Sequence, residues 1–565
     1  MRRYPLYERT MYATFREMIE DLGTRYGAAT AYSYRKHPHD EQVQTVSYAN
    51  LAYDVRCIST AMLAKGMGRA HIALVGKLTY PWVCTYLSLL ACGAVIVPLD
   101  AEWTAEDLAA TVERADCTAV FYSEEIKKNK LTPMLQNAAL QSLIELDGVE
   151  GENTFLSLLA EGNRLYLAGN RSYDTVRVSP DALSMLAFTS GTTGKGKGVM
   201  LTQTAILSDV VGALRLIEVG PKSVAVLPPH HTFGCNINLV AHLMSGSEVY
   251  LSSGIRYLLR ELKEQKPTQM ALVPLFLESL QRKIMDAIKE KKMEKDFFRL
   301  VKLSNAMRKT GVDARRKLFR GVLNSFGGEL NLVVCGGAPL SQSLIDFFDN
   351  IGITVVNGYG ITECSPVLAV NRNHCRRAGS VGLSLPGETL KISSPDENGE
   401  GEICVKGSNV MLGYYKDEAA TEEAFDADGY FRTGDAGKID GDGWLYITGR
   451  LKNLIILSNG KNVYPEEIEA EFAGVPGVLD CVVYEGLSRR GSEYNTIVAE
   501  IYPNVEYLSD NGIEDAHAYF YRFVQDYNRG AVPYKKVGLL KIRSEEFPKN
   551  TLRKIVRFKI DKTID

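Results

Sequence analysis

The stretch Leu186-Ala-Phe-Thr-Ser-Gly-Thr-Thr-Gly-Lys-Gly-Lys-Gly198 is an apolar run that ends abruptly in hydroxyls, glycines and lysines. A strand that runs into such a loop offers a nest of backbone N–H groups, with Ser and Thr hydroxyls as further donors to phosphate oxygens. Thr189, Ser190, Gly191, Thr192, Thr193, Gly194 and Lys197 are therefore candidate phosphate-binding residues. Gly191-x4-Gly196-Lys197 nearly reproduces the Walker A loop, but Gly198 stands where that loop needs Ser or Thr for magnesium. The mismatch argues against a standard P-loop nucleotidase. A lone glycine turn is weak evidence; three hydroxyl-glycine steps with a lysine are much stronger.

On both sides of this loop, short β-branched runs alternate with longer amphipathic stretches. Ile72-Ala-Leu-Val-Gly, Ala94-Val-Ile-Val-Pro and Thr118-Ala-Val-Phe-Tyr read as strands, with helices over Tyr80 to Cys92 and Thr104 to Ala115. Thr104 is placed to cap the second helix, with Glu106 in its first turn. The rhythm resumes at Ser223-Val-Ala-Val-Leu, Glu248-Val-Tyr-Leu, Met270-Ala-Leu-Val, Leu332-Val-Val and Thr354-Val-Val. Strands separated by helices predict parallel sheets with right-handed crossovers. Lys289 to Lys302 reads as one charge-rich helix with a solvated face, or at most a peripheral membrane contact. After about Pro386 the texture shifts to short strands and Gly/Asp turns, which predicts a β-rich subdomain. Beyond Arg450 a compact α+β tail follows.

A chain of 565 residues exceeds what one hydrophobic core usually serves, so two or more domains are expected. The formal charge of -3 leaves no electrostatic footprint for nucleic acid or an anionic membrane. Ten cysteines without a CxxC pair read as free thiols in a reducing compartment, and no four-ligand metal set is evident around His230, His231 and Cys235. The first residues lack the apolar core of a signal peptide. Tyr80 to Leu99, interrupted by Pro81 and Gly93, reads as helix-turn-strand rather than a membrane span. A cytoplasmic location is the expectation.

Further segments carry chemistry. Asn357-Gly-Tyr-Gly-Ile-Thr-Glu363 and Gly336-Gly-Ala-Pro339 each follow a strand, where ligands bind in α/β sheets. Two tight turns there would form one wall of a crevice. An aromatic ring can stack on a base, and Thr362 and Glu363 offer a hydroxyl and a hard carboxylate suited to Mg²⁺. Tyr430-Phe-Arg-Thr-Gly-Asp435 places a carboxylate where it can take the two hydroxyls of a ribose. Pro548-Lys-Asn-Thr-Leu-Arg-Lys554 is a basic loop that, read alone, is surface charge.

Together TSGTTGKGKG, GGAPL, NGYGITE, GEICVKG with GYY, YFRTGD, GRLKNLIILSNGKNVYPEEIE and PKNTLRKIVR resemble, in order, the motif series of the adenylate-forming superfamily. That superfamily includes acyl-CoA synthetases, peptide-synthetase adenylation domains and firefly luciferase, and the match covers nearly the whole chain. The resemblance implies a large N-terminal domain (1–451) of parallel and mixed sheets flanked by helices with a β-rich subdomain, and a small α+β C-terminal lid (452–565). It further implies that Thr189 to Lys197 hold the β- and γ-phosphates of ATP, that Glu363 carries magnesium beside Thr362, and that Lys554 is the catalytic lysine. Tyr359 with Gly337 and Ala338 would enclose adenine, with Pro339, Asn357, Gly358 and Gly360 in the same nucleotide site. Asp435 and Arg450 would hold the ribose, and Lys452 would be the hinge. Gly460 and Lys461 would lie on the lid face met by a thiol acceptor. The family usually has proline where this chain has Gly196, and often glycine where it has Arg553 before Lys554; several long-chain ligases are similar at the latter position.

Leu227-Pro-Pro-His230-His231-Thr-Phe-Gly234 matches the segment bordering the acid pocket, which implies His231 beside the reacting carboxylate. The segment contains no acidic residue, which disfavours an amino-acid substrate. A medium- or long-chain fatty acid, with CoA as acceptor, is the expectation. Acyl transfer to the phosphopantetheine of a carrier protein acting in trans, another (aryl) acid, a luciferase-like oxygenase and a non-catalytic nucleotide sensor are the alternatives.

Overall fold

Twelve of the thirteen residues of the helix Tyr80–Cys92 are buried. A helix apolar on every side needs neighbours on every side, and the architecture is arranged around that need. The computed structural model describes residues 5–189, 196–457, 462–491, 495–549 and 555–565, with the side chains of 128, 129 and 462 outside the description. Pro81 sits in the first turn of the helix, where its missing N–H costs nothing, so it starts the helix rather than interrupting it. Gly93 ends it in a left-handed conformation. Thr104 caps Ala105–Arg114 by accepting from the Asp107 N–H at 3.1 Å.

Two large sheets enclose this helix together with Tyr48–Ala64 and Gln203–Leu216. One apolar cluster joins Ile72, Leu74, Ile96 and Met185 of the first sheet to Ala225, Val249, Ala271 and Val356 of the second. The first sheet has seven strands. Leu183–Phe188, Val95–Leu99, His71–Val75, Cys117–Tyr122 and Ser142–Glu145 run parallel, and Gly198–Thr202 and Gly413–Tyr414 close one edge antiparallel. The second sheet has a parallel core of Thr354–Gly360, Leu332–Cys335, Gln269–Leu272, Lys222–Ala225 and Glu248–Leu251.

The β-rich region expected after Pro386 is present: its strands Gly401–Lys406, Phe431–Ile439 and Trp444–Arg450 continue the second sheet to thirteen strands, through Gly382–Ser384 and Val367–Val370. Two sequence expectations are corrected here. Asn357 to Gly360 is not a turn after a strand. The strand Thr354–Gly360 changes partner, pairing parallel with Leu332–Cys335 and then antiparallel with Val367–Val370. Lys289 to Lys302 is not one helix. Pro274–Glu290 ends and Glu294–Lys309 begins, with Lys292 between them in a left-handed conformation (φ 53°).

From Ile455 onward the chain has its own apolar core, formed by Ile455, Ile468, Phe472, Val483, Ile501, Phe520 and Val524. Its three-stranded sheet (Val478–Gly486, Thr496–Pro503, Leu539–Ile542) is covered by Pro465–Ala473 and Ala516–Gly530. No helix among the described residues is long and apolar enough to cross a membrane.

Asn236 ties the inner layer to the second sheet. It sits fully buried in Phe233–Ala241, which is wound as a π-helix, a form that recurs at functional sites. Its Oδ1 accepts from the Tyr86 hydroxyl at 2.7 Å, and its Nδ2 donates to the Ser365 carbonyl at 3.0 Å. Asn236→Ala orphans two buried polar groups, so a stability loss of roughly 2–4 kcal/mol is expected in urea unfolding; a loss below half that would mean the two elements are held by packing alone.

Candidate functional site

The loop between Phe188 and Gly198 joins the two strands of a β-hairpin. Phe188 pairs with Gly198, and the Thr189 N–H donates to the Lys197 carbonyl at 3.0 Å. Ser190, Gly191, Thr192, Thr193 and Gly194 lie outside the described residues. After the loop the chain enters the strand Gly198–Thr202, whereas a Walker loop leads directly into a helix. A Cβ on Gly198 would come within 3.1–3.2 Å of Leu186 and the Phe188 ring, so a larger residue there would require those side chains to shift. Arg114 braces the loop: it donates to the Gly196 carbonyl at 2.7 Å and lies 4.7 Å over the Phe188 ring.

The short strand Gly413–Tyr414 carries the next element. It pairs with Gly198–Thr202, while the Met411 N–H just before it donates to the Glu363 carbonyl at 2.9 Å. This brings Tyr414 between the loop and Glu363. Its hydroxyl donates to Glu363 Oε1 at 3.0 Å, and the Lys197 ammonium lies 4.5 Å from its ring centroid. Burial first, and then the Glu363 carboxylate, push the Tyr414 phenol well above its ordinary pKa. Thr362 and Glu363 lie in a 3₁₀ turn, Thr362–Cys364, directly after the partner-switching strand. A Cβ on Gly360 would overlap the Pro366 carbonyl, so this approach of two backbones requires glycine.

Asn357, Gly358 and Tyr359 sit on that strand beside the turn at Gly336. Cys335 is in register with Asn357, and a Cβ on Gly336 would lie 3.4 Å from the Gly358 carbonyl. Gly337 (φ 85°), Ala338 and Pro339 are exposed on the turn. Across the sheet the Tyr359 hydroxyl donates to Asp435 Oδ2 at 2.7 Å, and Arg450 Nε lies 3.0 Å from Asp435 Oδ1. Asp435 is 5% exposed. Burial raises its pKa, opposed by Arg450 and by the Tyr359 hydrogen bond. A desolvated carboxylate of this kind gains when it accepts from two further hydroxyls.

His231 stands before the π-helix. The Phe233 N–H donates to its Nδ1 at 3.2 Å, which places the ring proton on Nε2, the nitrogen able to donate to an oxyanion. Its neighbour His230 reaches across to the first sheet, with Nε2 3.6 Å from Asp100 Oδ2. Burial holds His230 below its ordinary pKa, against the pull of Asp100. Lys452 is exposed in the turn Leu451–Asn453 that leads out of the second sheet. Next to it Asn453 donates to Glu466 at 2.6 Å. Gly460, Lys461 and Lys554 lie outside the described residues, whereas Lys549 of the same basic loop is held by Asp480 at 2.8 Å and Glu546 at 2.7 Å. Tyr414 and Asp100 were not picked out from the sequence. Tyr414 belongs to the GYY segment, but nothing local announces a hydroxyl aimed at a carboxylate 51 residues away.

Two sheets around buried helices, with glycine turns and a buried carboxylate converging at one end, define an adenylate-forming fold. A family model described as AMP-binding enzyme matches residues 19–415. The chain belongs to that family. It is similar to the long-chain-fatty-acid–CoA ligase FadD15 of Mycobacterium tuberculosis, 29% identical over 457 residues that span 78% of this chain and 75% of the relative. It is likewise similar to long-chain-fatty-acid–CoA ligase 1 of Homo sapiens, 30% identical over 502 residues (83% and 71%). Among solved structures, ATP-bound MatB from Rhodopseudomonas palustris shares the fold with a TM-score of 0.74 at 22% identity, covering 96% of this chain and 97% of that one. The anthranilate CoA ligase AuaEII in complex with anthranoyl-AMP does so with a TM-score of 0.76 at 17% identity (97% and 97%).

Asp435→Ala removes a charged acceptor and releases both Tyr359 and Arg450. AMP binding measured by calorimetry is expected to weaken by roughly 2–3 kcal/mol, on the order of a hundredfold. An unchanged Kd would take Asp435 out of the nucleotide site.

Proposed function

We propose that this protein activates a medium- or long-chain fatty acid with ATP, forming acyl-AMP and pyrophosphate, and then transfers the acyl group to CoA. The observation that carries the proposal is the convergence of Lys197, Tyr414 and Glu363 on the loop side with Tyr359 and Asp435 on the sheet side. Cationic and hydroxyl donors then face the phosphates, and a buried carboxylate faces the sugar. The fatty acid is supported by the names of the relatives and by the apolar character of Phe233–Ala241, where no acidic residue awaits an ammonium group.

A carboxylate is a poor acyl donor because it would have to expel oxide. In the first step its oxygen forms a bond to the α-phosphorus of ATP, and the α–β bridge bond breaks to release pyrophosphate. The barrier is the meeting of two anions. His231 Nε2–H is the donor that orients the carboxylate, and Lys197 with the loop hydroxyls neutralises the β- and γ-phosphates. Lys554 places its ammonium on the oxygens of the in-line transition state. The donor set suits magnesium. Thr362 and Glu363 supply oxygen only, no group of three or more His, Cys, Asp or Glu side chains placed to hold a metal ion by itself is found among the described residues, and Mg²⁺ takes one or two protein oxygens plus phosphates and water. Bound there, the ion adds positive charge across the phosphates. In the second step the sulfur of CoA attacks the acyl carbon, AMP departs with the bridging oxygen, and the thiol proton is lost. The lid, residues 452–565, turns at Lys452 to bring the face with Gly460 and Lys461 to the adenylate.

Two variants separate the steps. Lys554→Ala is expected to lower adenylation by at least roughly 10²–10³-fold while leaving thioester formation from supplied acyl-adenylate intact. Lys452→Pro does the reverse by fixing the hinge. Both half-reactions read by mass spectrometry of acyl-AMP and acyl-CoA decide it; equal loss of both steps in either folded variant would contradict these assignments. Holo-carrier protein offered in place of CoA tests the acceptor, and acylation of the carrier alone would replace CoA in the proposal.

A further inference from the structure

Lys197 lies between two glycines, Gly196 and Gly198. Glycine restricts its own backbone less than any other residue, so a lysine between two of them is not aimed by its neighbours in sequence. Its direction has to be fixed by bonds from elsewhere, and three carbonyls receive them. The Lys197 carbonyl accepts from the Thr189 N–H at 3.0 Å, and the Gly198 carbonyl accepts from the Tyr415 N–H at 2.8 Å. The Gly196 carbonyl accepts from Arg114 Nη2 at 2.7 Å. The first two are backbone bonds, one across the hairpin and one from the end of the short strand Gly413–Tyr414. The third comes from a side chain 82 residues away.

Arg114 is the last residue of the helix Ala105–Arg114 and is exposed. A merely solvated arginine there would extend into water. Its guanidinium instead reaches over the hairpin, covering the Phe188 ring on one arm at 4.7 Å and holding the Gly196 carbonyl on the other. Two residues on, the Asp116 carboxylate is taken by Lys416 at 2.7 Å and by the Tyr415 hydroxyl at 2.6 Å. Arg114 makes no ion pair among the described residues, so its charge goes to one carbonyl and one ring. One helix end thus grips both edges that meet at Lys197. Arg114 holds the loop, and Asp116 holds the residues that follow Tyr414.

We propose that Arg114 is a positioning residue for ATP: by pinning the Gly196 carbonyl it aims Lys197 at the β- and γ-phosphates, without touching the nucleotide itself. The inference rests on the reading of Lys197 as a phosphate ligand, and it adds a residue that lies outside every motif segment of the chain. An unpaired arginine could also serve ATP by direct contact with phosphate. A guanidinium already bonded to a carbonyl and laid on a ring is engaged by the protein, which favours the pin. The acid that the enzyme activates does not enter the argument.

Calorimetry of ATP and of AMP with the full chain, in the absence of any acid, tests it, because AMP lacks the two phosphates that Lys197 meets. Arg114→Ala is expected to weaken ATP by about tenfold, the size of one charge-assisted hydrogen bond, and AMP by less than about twofold. Retained AMP binding also shows that the variant is folded. Gly196→Pro added to Arg114→Ala replaces the lost pin by restricting residue 196 itself. The Gly196 N–H makes no hydrogen bond among the described residues, so proline removes none. The double variant should bind ATP about threefold more tightly than Arg114→Ala alone. An unchanged ATP Kd in Arg114→Ala, or equal weakening of ATP and AMP, would overturn the proposal. So would a loss that proline leaves untouched, which is the mark of a guanidinium in direct contact with phosphate. Failure of the unaltered protein to bind ATP at all would overturn the ATP reading, and the proposal with it.

Discussion

A two-residue strand, Gly413–Tyr414, holds the candidate site together. Its backbone extends the edge of the first sheet, the residues just before it reach the turn that carries Glu363, and its one large side chain touches both Lys197 and Glu363. The strand Gly198–Thr202 and the turn Thr362–Cys364 belong to different sheets, and this strap bonds to both. The arrangement is economical because a backbone ladder fixes position while a single hydroxyl and a single ring fix charge. Buried Asn236 and the Asp100–His230 contact are further ties across the layers. The site is thus built at a seam, where small relative movements of the sheets would be felt most.

The positions of the charges follow the same economy. Asp435 is desolvated, yet Arg450 and Tyr359 keep its ionised form favourable enough to accept hydrogen bonds. Among the described residues Glu363 is held by a neutral hydroxyl and makes no salt bridge, so nothing described there neutralises its carboxylate. Lys197 rests on an aromatic face, a contact its ammonium can leave at small cost.

Local signals are legible in the sequence and distant partners are not. The cap at Thr104, the helix ending before Gly93 and the parallel strands are each set by a few neighbouring residues, and all are found where periodicity and capping chemistry put them. Gly198 marked the loop as something other than a Walker loop, and the hairpin it belongs to is the physical reason. The strand through Asn357 to Gly360 looked like a turn because its glycines serve close backbone approach, which composition cannot distinguish from bending. Lys289 to Lys302 looked continuous because charge pattern alone does not reveal the left-handed Lys292 that separates two helices. Asp435 and Tyr359 were each named from their own motif, but the hydrogen bond between them spans 76 residues and exists only in the fold.

The most direct measurement of the central claim is exchange of radiolabelled pyrophosphate into ATP, in the absence of CoA, across a series of carboxylic acids. Exchange that depends on added fatty acid and on magnesium is the result this account predicts. Tight AMP binding with no exchange for any acid would contradict it, and would leave the fold as a nucleotide-binding scaffold without the chemistry.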